Sequence, residues 1–251
     1  MRYKFGLTIL LILAILAGAA DAQTKTMNKK NSSTERQALT TKQQSIVKIA
    51  SLTATGDLEK LQPALAEGLD AGLTVNEIKE ILAQMYAYAG FPRSLNGIST
   101  FMKVVEERKK KGINDIEGKT ATPVGDSGDK YERGRKTLEK LSGQPQSKPA
   151  KGFGEFSPQV DRFLKEHLFA DIFDSDVLTY QERELATISA LAAMMGVESQ
   201  LESHLGMGMN IGLTESQLTE AFGLIEKNIS RQQAETARKS LIKVMAAKTE
   251  K

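Results

Sequence analysis

Apolar side chains recur three and four residues apart along most of this chain, the spacing of helix faces. No stretch alternates with the period of two that marks a half-buried strand. Thr40 with Gln43 opens the first run as a capping box, and Ile46, Val47, Ile49, Ala50 and Leu52 carry it to Gly56. Asp57 caps the next run, which places Leu58, Leu61, Leu65 and Leu69 on one face and stops at Gly72. Thr74 and Glu77 start a third through Ile78, Ile81, Leu82 and Met85. After a break at Gly90-Phe91-Pro92, a fourth helix is expected from about Arg93 to Lys110. The pattern lapses over residues 112–156, which are rich in Gly, Pro, Ser and charge, with a short helical possibility around Tyr131–Leu141. That stretch reads as a linker, or as an arm laid over a neighbouring surface.

Ser157-Pro158 resembles an N-cap and first turn, and the segment to Phe173 carries Val160, Phe163, Leu164, Leu168 and Phe169. From Thr179 the order of the first half begins again. LTTKQQSIVKIASL pairs with LTYQERELATISAL at an offset of 139 residues, and GDLEKLQPALAEGLDAGLT pairs with GVESQLESHLGMGMNIGLT one residue further on. The expectation is an all-α fold of two tandem copies of one helical unit. The first repeat spans residues 39–111, the linker 112–156, and the second repeat, with an added N-terminal helix, 157–251.

The two copies differ where chemistry is expected. Glu184 answers to Ser45, and His204 answers to Ala64. Conversely, the first copy's Tyr86-to-Pro92 stretch answers to the polar Glu226-to-Gln232 stretch of the second. On a helix, His204 shares its face with Val197, Gln200, Leu201, Met207, Gly208 and Ile211, while Glu198 and Glu202 point elsewhere. Imidazole among such neighbours has its charged form disfavoured. This describes a general base, and equally a buried histidine with one hydrogen bond. Glu184 lies on the apolar side of its own helix, in line with Ile188, Leu191 and Met195, where a carboxylate is costly unless paired. It reads equally as a first-turn glutamate favoured by the helix dipole. His167, the other histidine, is read as structural.

Composition narrows the picture. Arg2 and Lys4, the apolar run Leu7–Ala17 and the small-x-small site Ala20-Asp21-Ala22 make residues 1–22 a secretory signal, followed by a flexible polar lead over 23–38. Export to the periplasm or beyond is expected, with no membrane attachment after cleavage. The formal net charge of +3 shows no basic stripe, which argues against nucleic acid as a partner. The chain has no cysteine, which excludes disulfides and thiol chemistry by its own side chains. No metal site or cofactor is expected.

Arg183-Glu184-Leu185 followed by Gly196, by Glu202-Ser203-His204 and by Gly212-Leu213-Thr214 resembles the carboxymuconolactone decarboxylase family, which includes the alkylhydroperoxidase-D-like proteins. Gly72-Leu73-Thr74 leading to Tyr88-Ala89-Gly90-Phe91-Pro92 carries the same resemblance in the first copy. The resemblance implies an all-helical fold, commonly assembled as a homo-oligomer. The family's peroxidase branch uses a Cys-x-x-Cys pair, whose places here fall on Val197 and Gln200, so that activity is disfavoured. The decarboxylase branch implies acid/base roles for Glu184 and His204.

The leading expectation is therefore a cofactor-independent lyase or isomerase acting on a small carboxylated lactone or enolisable acid. Arg183 or Arg93 would hold the acid group; Tyr86, Tyr88, Phe91 and Pro92 would wall the pocket, with Glu202 a lesser candidate. The alternative is a non-catalytic helical binding protein, distinguished by whether His204 and Glu184 reach a pocket or are sealed in the core.

Overall fold

The computed structural model of the chain describes residues 39–124, 128–148 and 150–249, so the expected leader and lead lie outside the described residues. Among the described residues the regular structure is helical throughout. Helices α1 (Thr41–Thr55), α2 (Leu58–Asp70), α3 (Val75–Ala89) and α4 (Phe91–Lys110) make the first repeat. Helices α8 (Tyr180–Ala193), α9 (Glu198–Asn210), α10 (Glu215–Asn228) and α11 (Arg231–Thr249) make the second. The local signals explain their limits. Thr40–Gln43, Thr74–Glu77, Thr179–Glu182 and Thr214–Gln217 all form reciprocal capping boxes. Gly56 ends α1 in the left-handed conformation, at φ 76°. Its counterpart Gly196 does not end α8, which stops three residues earlier at Ala193.

α1 and α8 lie against each other at the centre and form the most extensive helix pair. Both are buried on nearly every side, as a helix with little polar face must be. α3 packs across onto α8, and α10 packs across onto α1, so each repeat covers the other's central helix. Ile46, Ile49 and Leu52 of α1 join Leu185, Ile188 and Leu191 of α8 in one continuous core. The same pseudo-symmetry governs polar contacts. Arg183 on α8 reaches Glu80 on α3 at 2.7 Å, and the equivalent Gln44 on α1 reaches Glu220 on α10 at 2.8 Å.

Equivalent glycines set the spacing within each repeat. A Cβ on Gly68 would sit 3.0 Å from Ile49 Cδ1, and one on Gly208 2.9 Å from Ile188 Cδ1. A side chain at either position would therefore force the isoleucine methyl of the first helix to give way.

The described residues between 112 and 156 are laid against both repeats. Val75 and Asn76, at the start of α3, donate their backbone N–H groups to the carbonyls of Ile116 and Glu117. Thr122 then donates backbone N–H and hydroxyl to Asp176. Helix α5 (Lys130–Ser142) follows, then a single turn α6 (Phe153–Phe156) and α7 (Pro158–Arg162), which runs into a π-helix, Phe163–Ile172. The π form is rare and frequently occurs at functional sites. α5 lies along the π-helix, and Leu138, Leu141, Leu168, Phe169 and Phe173 form a second small core whose edge meets Met207 and Ile211 near α9.

Candidate active site

Close packing of α9 on α8 brings their polar residues together. Nδ1 of His204 lies 2.8 Å from Oε2 of Glu184, across 20 residues of sequence. Gly208, one turn beyond His204 on α9, favours this approach, since a Cβ there would come 2.9 Å from Ile188 Cδ1 and 3.0 Å from Leu213 Cδ1. Glu184 is fully buried and His204 is 7% exposed. The other carboxylate oxygen, Oε1, is buried without a hydrogen-bond partner. Tyr88, at the end of α3 in the first repeat, sets its ring edge-on to the imidazole, with centroids 5.3 Å apart. The pair is therefore assembled from one repeat and flanked by the other.

His204 is not sealed in. It lines a cavity of about 510 Å³ together with Gln200 and Ser203 of α9. The opposite wall comes from the segment between the repeats and the π-helix, including Lys151, Asp161, Lys165 and Phe169. Asp161 and Lys165 form a buried ion pair, and Tyr131 donates its hydroxyl to Asp161 at 2.6 Å. A larger, more open hollow of about 1030 Å³ lies on the outer side of Asp161, and neither member of the Glu184–His204 pair lines it.

The other residues expected at the site are placed elsewhere. Arg183 is fully buried behind α8, where its guanidinium bonds Glu80, Gln84 Oε1 and the carbonyl of Ser175. With those partners it links the repeats and does not line the cavity. Arg93 bonds the carbonyl of Ala54, at the end of α1, and Met194 Sδ. Tyr86 and Phe91 stack at 4.6 Å and border a separate shallow cleft with His167. Pro92 sits exposed in the first turn of α4. Glu202, directed away from His204, pairs with Lys243 of α11 at 2.6 Å.

His167 is not a core histidine. It is exposed and bonds Asp171, four residues on, a partner that its sequence neighbourhood offered and the sequence reading passed over. Lys165 and Asp161 were also missed. The one signal was their i,i+4 spacing, which on a helix reads equally well as a solvated pair.

The model of the carboxymuconolactone decarboxylase family matches residues 19–100 and 158–226, the first match beginning inside the expected leader and the second covering α8, α9 and most of α10. No curated protein matches the chain.

Proposed function

The chain belongs to the carboxymuconolactone decarboxylase family, and from that premise we propose that it is a cofactor-independent lyase or isomerase of small carboxylated lactones or enolisable acids. The observation that supports this reading most is that His204, held by the fully buried Glu184, lines a cavity of substrate size. With Nδ1 engaged by a carboxylate, the imidazole keeps a defined tautomer and orientation, and Nε2 is left to move the proton. Nε2 removes a proton from the carbon next to the carbonyl, leaving an enolate. In an isomerisation the proton then returns to a different carbon. In a decarboxylation no carbon proton is removed first; the imidazolium of His204 instead donates a proton, replaced from solvent, to the carbanion left when carbon dioxide departs. Either sequence balances without a redox partner.

The acid group of the substrate needs a cation. Lys165 and Lys151 line the cavity, and in this reading they take the part first given to Arg183 and Arg93. A binding cavity that holds an ion pair beside apolar walls suits a small acid better than a hydrocarbon.

Small lactones and keto acids incubated in deuterium oxide test the proposal, with carbon dioxide release and carbon-bound deuterium as readouts. Turnover or exchange that disappears in H204A supports it. Unchanged turnover in a folded H204A variant overturns it, and tight binding without any exchange assigns the chain to the non-catalytic alternative. We propose export as well, on the basic–apolar–small pattern of residues 2–22. N-terminal sequencing of the mature protein checks it: a start at Gln23 supports export, and an intact Met1 refutes cleavage.

A further inference from the structure

The stretch from Val160 to Phe169 carries its side chains in rows four residues apart. Asp161, Lys165 and Phe169 line the cavity that holds His204. Phe163 and His167 line the neighbouring cleft of about 560 Å³, opposite Tyr86, Ala87 and Phe91. Val160 and Leu164 line both hollows. Residues so spaced on a helix stand one above the other. The boundary between cavity and cleft is thus a ridge of two aliphatic side chains.

The two hollows differ in chemistry. Across the cavity, Gln200, Ser203 and His204 meet Lys151, Asp161 and Lys165. Asp161 already engages Lys165, so Lys151 is the cavity's one cation without a carboxylate partner among the described residues. The charge balance there suits a single acid group. The cleft is apolar apart from Tyr86 and His167, and Phe91 and Phe163 on its border are each more than half exposed. Large apolar side chains clustered in water mark a place where something apolar binds. The shared ridge makes the cleft continuous with the cavity, and that continuity identifies what covers it.

We infer that cavity and cleft are two ends of one substrate site, which takes a monocarboxylic acid with an unbranched apolar arm. The acid group lies at Lys151 and the reacting carbon at Nε2 of His204. The arm crosses Val160 and Leu164 and rests on Phe91 and Phe163, which makes these four residues the determinants of chain length. The inference rests on His204 as the proton-moving group and narrows its substrates to enolisable acids with a long tail. Affinity should grow with the apolar area covered, by up to about fourfold for each methylene removed from water.

The two histidines of the chain report on the two hollows separately, since His204 lines the cavity and His167 the cleft. Imidazole NMR spectra of the full-length protein at one fixed pH, with butanoate or with decanoate, read the occupancy of each, and calorimetry gives both affinities. Butanoate should shift the His204 signals alone. Decanoate should shift those of both residues and bind at least about tenfold more tightly. F163S replaces an exposed side chain, and in it the decanoate advantage should shrink to about threefold or less, with butanoate binding unchanged. F91S should act in the same way and decides the matter if F163S does not fold.

Decanoate that shifts only one histidine, or binds no more tightly than butanoate, overturns the inference. So does an advantage that survives both F163S and F91S. Self-association of the parent protein that F163S abolishes also overturns it, because the cleft would then belong to a second copy of the chain. Failure of the catalytic reading looks different: both acids bind as described and no acid turns over. Turnover that H204A abolishes, with no decanoate effect on His167, removes the apolar arm alone.

Discussion

Gly134 on α5 approaches the π-helix so closely that a Cβ on it would sit 1.8 Å from the carbonyl oxygen of Lys165. The atom in the way is backbone and cannot swing aside. G134A should therefore push α5 off the π-helix and distort the cavity wall that faces His204. The expected loss is about 1–3 kcal/mol, the usual range for overpacking. Thermal unfolding measures it, and hydrogen exchange confined to residues 130–142 and 163–172 locates it. A variant as stable as the parent, with unchanged exchange, would refute the close contact.

The two equivalent glycines on α2 and α9 offer a matched pair of substitutions. G68A and G208A each place a Cβ about 3 Å from an isoleucine methyl of the preceding helix, and each should cost about 1–3 kcal/mol. Only G208A pushes apart the helices that carry Glu184 and His204. Turnover of an identified substrate should drop in G208A far more than in G68A at equal stability. Equal losses would mean that the spacing of α8 and α9 does not matter to the chemistry.

E184Q keeps the shape of the side chain and removes the charge that orients the imidazole. A positioned acid/base group contributes typically 10²–10⁴-fold, and the loss of kcat should fall in that range with the fold retained. Steady-state kinetics and circular dichroism together check this. A loss under about tenfold would leave Glu184 as a packing residue.

Arg183 carries a different prediction because its partners are structural. R183M strands Glu80 and Gln84 at the junction of α3 and α8. Breaking a buried ion pair from one side costs about 3–5 kcal/mol, and the low end applies because Glu80 is a quarter exposed. Denaturant titration should show that loss, while KM for an acidic substrate stays within about threefold, as expected when no substrate contact is removed. A large rise in KM at unchanged stability would restore Arg183 to the substrate.

Asp176 ties the arm down in a pH-dependent way. The Thr122 N–H and hydroxyl, followed by Lys119, hold its carboxyl down at about 2 from an ordinary 3.8. A carboxylate depressed in the folded state contributes stability above its unfolded value, and that contribution is lost as the pH falls through the folded one. Residues 119–122 should therefore come loose between about pH 4 and pH 2. D176N should release them already at pH 7. Amide exchange of that segment reads both, and protection that persists in D176N would refute the tether.

Much of this architecture follows rules that act over three or four residues, which is why it could be read from the chain. The capping pairs, the Gly56 stop and the apolar spacing of α1 to α4 each need only neighbours in sequence. Glu184 and His204 were legible for the same reason, since each is a polar group on the apolar face of its own helix. Arg183 was not legible: its direction depends on α3 of the other repeat, and only the crossed packing reveals it. The cavity wall was hidden for another reason. Lys165 belongs to a π-helix and Asp161 to the α-helical turn that runs into it, and the π turn differs from the 3.6-residue period by which faces are assigned.

Neither repeat contains a full wrapper for its own central helix, because α3 shields α8 and α10 shields α1. Severing the backbone between α4 and α5 should thus leave two pieces that stay clasped and purify together. Either piece made alone would be an adhesive, half-dressed fragment, searching for a twin to stand in for the missing half.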